Sequence, residues 1–188
     1  MVLKESLNNW VVRAYDIACS HGFHDVKRSD AHYMMLVLSE VGEMVEADRK
    51  NRHAFVGDKL DISSTDFAEW FEKNIKDTLE DELADVCIRL FDFAGVKHWT
   101  FDGFPDDMKQ DFDNLFGSMS LCERAFSLST LVVDGIRTTN DDEMCNNIAC
   151  ALCFCFCLAD DLVIDLAWHI DAKMEYNDSR EKRHGKNY

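Results

Sequence analysis

Three glutamates recur at intervals of three in LSEVGEMVEADRK: Glu40, Glu43 and Glu46. On a helix, Glu40 and Glu43 project about 60° apart, from a segment that is otherwise largely apolar. Oxygen donors so placed can hold a cation, or they can form a solvated face or a run of surface salt bridges. The same arrangement returns as Glu82 and Asp85 in DTLEDELADVCIRLFDF. There Glu82, Asp85, Arg89 and Asp92 fall within an arc of about 80°. Leu79, Leu83, Val86, Ile88, Leu90 and Phe93 cover much of the remaining circumference. A helix apolar on most sides is buried, so this polar stripe is expected to face inward or into a cleft. Buried carboxylates repel one another, and burial itself disfavours their charge. A bound cation relieves both penalties.

Asp85 and Arg89 also have the spacing of an ordinary i, i+4 ion pair, and Asp92 that of an i+3 partner of the same arginine. For these contacts the structural reading stays open. Two acidic pairs at identical spacing, each on a largely apolar helix, are harder to assign to chance. An all-oxygen set of Glu40, Glu43, Glu82 and Asp85, with no His or Cys, suits Mg²⁺ or Mn²⁺ better than zinc. Glu46 lies a turn further along, as an outer group, a ligand of a second ion, or a solvated side chain.

The elements that must position these groups read as helices. One proline and eight glycines in 188 residues leave little punctuation for many short strands. The pattern predicts helices over 3–20, 31–49 with an N-cap at Ser29-Asp30, 64–94 closed by Gly95, 107–137 with a break near Gly117, and 141–177. The expectation is one all-α domain over 1–188, a helical bundle with a basic tail at 178–188. At 47% hydrophobic and 30% charged residues, the composition is that of a soluble protein. A net charge of −16 argues against nucleic acid as a partner, but divalent metal can bridge an acidic protein to a free nucleotide.

MVLKESLNNW lacks the apolar core of a signal peptide, and the run IACALCFCFCLA is too short to span a bilayer. A cytoplasmic protein without a membrane partner is expected, with reduced cysteines. Five of the eight cysteines, Cys145, Cys150, Cys153, Cys155 and Cys157, crowd one segment without a second paired set for zinc. They are expected to pack as small hydrophobes.

Glu40-x-x-Glu43 followed by Glu82-x-x-Asp85 resembles the E-x-x-E…E-x-x-D signature of the all-α nucleoside triphosphate pyrophosphohydrolases, the MazG-like and dimeric-dUTPase superfamily. GFHD, LSEVGEMVEADR, FEKNIKDTLEDELADVCIRLFDFAG and WHIDAKMEYNDSREKRHGKNY extend the resemblance over about half the chain. Many relatives carry a further glutamate just before the first pair, where this chain has Ser39. The resemblance implies a bundle completed by a second subunit as a homodimer or larger homo-oligomer. It also implies Mg²⁺-dependent cleavage between the α- and β-phosphates of a nucleoside triphosphate. Glu40, Glu43, Glu82 and Asp85 would be its metal ligands and catalytic groups.

Near the end of the chain, Asp165, His169, Lys173, Tyr176 and Arg180 share one side of a helix, with Asn177 at the margin. By the same resemblance Lys173, Asn177 and Arg180 are candidate phosphate or sugar contacts, with Arg89 and Asp92 beside them and His184 and Lys186 in the tail. The alternative is a solvated basic helix end, with Lys173 paired to Asp165, Asp171 or Glu175. Trp10, Phe23 and His24 are candidates to stack on a base, or else core. Two rival classes stand beside the enzyme. A carboxylate-bridged di-iron bundle wants Glu-x-x-His on two helices, and only Glu181 to His184 has that spacing. A non-enzymatic helical scaffold would use the acidic pairs structurally. The substrate's base is not legible, since relatives act on pyrimidine deoxynucleotides, non-standard nucleotides or phosphoribosyl-ATP.

Overall fold

Polar side chains that accept from backbone N–H groups punctuate this chain where glycine and proline do not. In the computed structural model, which describes residues 4–56, 61–104 and 106–182, the described residues form eight α-helices and no strand. They are α1 (Lys4–Ser20), α2 (Asp30–Arg49), α3 (Phe67–Asn74), α4 (Leu79–Val96), α5 (Asp106–Phe116), α6 (Leu121–Gly135), α7 (Asp141–Asp161) and α8 (Leu166–Asp178). Ser29 caps α2 by accepting from the His32 N–H, as its sequence predicts. Ser120 and Glu123 form a capping box at α6, so the break expected near Gly117 is present.

Two long helices expected from periodicity are each divided. The 64–94 segment splits because Asp77 takes a left-handed φ of 60° and Thr78 is extended, its side chain accepting from the Asp81 N–H to start α4. The 141–177 segment splits at Val163, also at φ 60°, and Asp165 caps α8 by accepting from the Trp168 N–H. In both places a capping oxygen outweighs a continuous apolar period. Gly95 is the third correction. It lies inside α4, not beyond it, and marks a close approach to Tyr15 of α1.

The bundle is built around α4, which packs against α1, α2, α7 and α8. Its apolar faces, including Leu83, Val86, Leu90, Phe91 and Phe93, are buried in the main core. The α7 helix packs with α5 and α6 on the other side, and α6 also meets α2. At 21 residues α7 is long and apolar enough to cross a membrane, yet residues 151–159 are buried without interruption inside the bundle. Cys153, Cys155 and Cys157 belong to that buried run, and all eight cysteines are thiols rather than disulfides. Of the five crowded cysteines, Cys153, Cys155 and Cys157 pack as core residues, whereas Cys145 and Cys150 are only half-buried. A smaller cluster of Phe67, Phe71, Ile75, Ala172 and Tyr176 joins α3 to α8.

In a helix interior alanine is favoured over glycine by roughly 1 kcal/mol. Gly95→Ala is nevertheless expected to destabilise the protein by roughly 1–3 kcal/mol, because the new Cβ would sit 2.5 Å from the Tyr15 Cβ. Urea unfolding measures the difference, and a variant as stable as the parent contradicts this contact between α1 and α4.

Candidate metal centre

The three glutamates of α2 have three different environments. Glu40 points into the bundle and is 4% exposed. Glu43 is exposed and lines a cavity of about 170 Å³ together with Glu46, Lys50, Arg52, Asp77 and Glu82. Glu46 lies on the surface, paired with Arg49 at 3.0 Å and Lys50 at 2.9 Å. For Glu46 the plain reading, a surface salt bridge, is sufficient.

From α4, Glu82 (4% exposed) and the half-buried Asp85 meet Glu40. Each of the three offers a carboxylate oxygen, and these oxygens lie within 4.8 Å of one another. Arg89 donates from Nε to Glu40 Oε1 at 3.0 Å, across the α2–α4 interface. Among the described residues Arg89 makes its ion pair with Glu40, not with Asp85 or Asp92, the two partners within its own helix that the sequence left open. Asp92 Oδ1 instead lies 2.7 Å from His24 Nε2. His24 in turn stacks on Tyr15 and approaches the Tyr33 hydroxyl at 3.2 Å, a packed setting rather than an open base platform.

Lys173 is the largest departure from expectation. It is 5% exposed, and its ammonium lies 2.8 and 2.7 Å from the two oxygens of Asp81 and 2.8 Å from Asp85 Oδ2. The alternative of a solvated helix end is overturned by that burial. Its suggested partners are engaged elsewhere: Asp171 and Glu175 bind Arg13 at 3.1 Å each, and Asp165 caps α8. Asp81, which belongs to neither acidic pair of the sequence, joins the cluster through this contact. One signal was available: Asp81 and Asp85 stand four residues apart, and like charges at that spacing repel unless a cation lies between them.

Asn177 is buried and lines a small cavity with Phe23, Ile88, Arg89 and Asp92. Arg180 has its guanidinium 5.4 Å from the Tyr176 ring centre and its carbonyl 3.0 Å from His21 Nε2. Trp10 is core, stacked on Phe156 with its indole N–H donated to Asp171. His184 and Lys186, and with them the Glu181–His184 spacing, lie outside the described residues.

Electrostatically the site carries surplus negative charge. Burial, then Asp85 and Asp81, push Glu82 up to about 9. Glu40 is raised by burial and by Asp85, against the pull of Arg89. Burial raises Asp81 to about 6 despite Lys173 beside it. For Lys173 burial opposes the charge, but Asp85 and Asp81 outweigh it and raise its pKa. Burial is thus the main cause for the acids, whereas for Lys173 the neighbouring carboxylates prevail over it. All donors in the three-carboxylate group are oxygens, which fits a hard divalent ion such as Mg²⁺ or Mn²⁺. No family model, curated protein or solved structure matches the chain.

A folded-state pKa of about 9 for Glu82, against an ordinary 4.5, means the metal-free folded form keeps a proton that the unfolded chain has released. Its contribution to stability is therefore full below pH 4.5 and is lost as pH rises toward 9. Glu82→Gln, which mimics the protonated acid, is expected to gain on the parent as pH rises, by up to about 1.4 kcal/mol per pH unit. Urea unfolding in chelator at pH 6 and pH 8 measures this. An equal difference at both values contradicts the assignment.

Proposed function

We propose that this chain is a Mg²⁺-dependent nucleoside triphosphate pyrophosphohydrolase of the MazG-like, all-α type, with Mn²⁺ an alternative ion. The observation that supports it most is the convergence of Glu40, Glu82 and Asp85 within 4.8 Å, from two helices that carry E-x-x-E and E-x-x-D. Glu43, on the rim of the adjoining cavity, completes the proposed set of four carboxylates.

When bound there, the ion would neutralise phosphate charge and lower the pKa of a coordinated water. The chain's own residues supply position. Arg89 holds Glu40 through Oε1, and Lys173 holds Asp85 through Oδ2, so both carboxylates are fixed before any ligand arrives. Phosphoryl chemistry depends mainly on such positioning and charge stabilisation, and it needs no Ser or Cys nucleophile. In the proposed reaction a water oxygen would bond to the α-phosphorus and give up its proton to solvent, while the α–β bridging P–O bond breaks and its electron pair leaves with pyrophosphate.

Arg89, Asp92 and Asn177, which line one cavity, are the proposed substrate contacts, with Arg180 a turn beyond. In this reading Lys173 serves the substrate through Asp85. The proposal includes a homo-oligomer. Met35 on α2 and Phe126 on α6, 59% and 74% exposed, lie on helices that pack together and offer apolar surface for a second copy.

Release of pyrophosphate from a panel of nucleoside triphosphates with Mg²⁺ tests the activity. At least one triphosphate is expected to turn over. Glu40→Gln and Asp85→Asn are expected to lower kcat/KM by at least about 100-fold, with helical circular dichroism retained. Retained turnover in both variants at saturating Mg²⁺ contradicts the metal assignment, and no turnover of any triphosphate contradicts the enzymatic reading. Light scattering at micromolar concentration is expected to report a dimer or larger species, and a monomer contradicts the oligomer.

A further inference from the structure

Asp81 is 1% exposed, carries a carboxylate, and is not one of the three residues that converge on the candidate ion position. A buried carboxylate is costly unless it is paired and hydrogen-bonded. Asp81 is both. Its two oxygens accept from the Lys173 ammonium, and Oδ2 also accepts from the Asp77 N–H at 3.0 Å. The left-handed turn at Asp77 and the Thr78 cap fix the backbone that carries it.

Three oxygens surround the three hydrogens of the ammonium: two from Asp81 and one from Asp85. Without Asp81, the whole attraction of Lys173 would fall on Asp85, a carboxylate that the proposed ion needs. With it, Lys173 occupies one oxygen of Asp85 and is held back by a second anion. The opposite side of the site is built alike, since Arg89 meets Glu40 through one oxygen.

We infer that Asp81 is a positioning residue of the metal site. It anchors the Lys173 ammonium so that Lys173 orients Asp85 without neutralising it, leaving Glu40, Glu82 and Asp85 able to take a divalent cation. This inference rests on the metal-dependent reading above. Partners that orient ligating carboxylates commonly change metal affinity by about 10- to 100-fold when removed. A purely structural ion pair would change folding stability and leave metal affinity alone.

Mn²⁺ binding without nucleotide, followed by electron paramagnetic resonance, separates the two. Asp81→Asn is expected to weaken Mn²⁺ binding by about tenfold or more. In a Lys173→Met background, with no ammonium left to anchor, the same change is expected to act by less than about twofold. Asp81→Glu keeps the charge but moves it by one methylene, and is expected to weaken binding by about threefold or more; it serves alone should Asp81→Asn fail to fold. Affinity within about twofold of the parent in every folded Asp81 variant overturns the inference, as does an undiminished Asp81→Asn effect in the Lys173→Met background. A parent that binds no Mn²⁺ overturns this inference and the metal reading together. A parent that binds Mn²⁺ but hydrolyses no triphosphate removes only the enzymatic reading, and the Asp81 comparison then decides on its own.

Discussion

Where α2, α4 and α8 come together, the carboxylates of Glu40, Asp81, Glu82 and Asp85 face the cations of Arg89 and Lys173. Three ion contacts form, Arg89–Glu40, Lys173–Asp81 and Lys173–Asp85, and a surplus of negative charge remains among mostly buried groups. Desolvation makes that surplus expensive. In the metal-free protein it is relieved by keeping protons, which is why Glu82 is pushed up to about 9. The proposed divalent cation would match the surplus in charge and the donors in type, and would relieve the penalty without protons. Binding of metal and release of protons are then linked.

The rest of the fold serves this crossing. Helix α4 supplies Asp81, Glu82, Asp85 and Arg89 from one helix and buries its remaining faces against α1, α2, α7 and α8. Its start is set by Thr78, and the acids at its first turn also lie at the favourable end of the helix dipole. Helix α8 begins anew at Asp165 instead of continuing α7, and that break lets it cross α4 with Lys173 directed inward. The Phe71–Tyr176 stack, with ring centres 4.6 Å apart, pins α8 to α3 one turn beyond Lys173. Tight local packing of this kind keeps the charged groups within hydrogen-bond reach of one another.

Much of this was legible in the sequence, and the misses have physical reasons. The all-α class, the Ser29 cap, the acidic pairs and the cysteine-rich core segment follow from spacing, because helical periodicity and caps are local. The breaks at Asp77 and Val163 were not legible, since both are non-glycine residues at positive φ, with no proline or glycine to announce them. Gly95 was misread because a glycine near a helix end more often closes the helix than admits a neighbouring side chain. Lys173 and Asp81 are 92 residues apart, and nothing in a helical period reveals such a partner. Arg89 was read within its own helix, where Asp85 and Asp92 are the nearest acids, but it reaches Glu40 across the interface.

The surplus charge at this crossing is proposed to belong to a divalent cation. Crystals grown with Mn²⁺ and measured at its absorption edge test it most directly, because manganese is then located independently of any activity. An anomalous peak is expected in direct coordination distance of Glu40, Glu82 and Asp85, with Lys173 still on Asp81. No peak at that position at millimolar Mn²⁺, or a peak bound only by surface carboxylates such as Glu46, would contradict it.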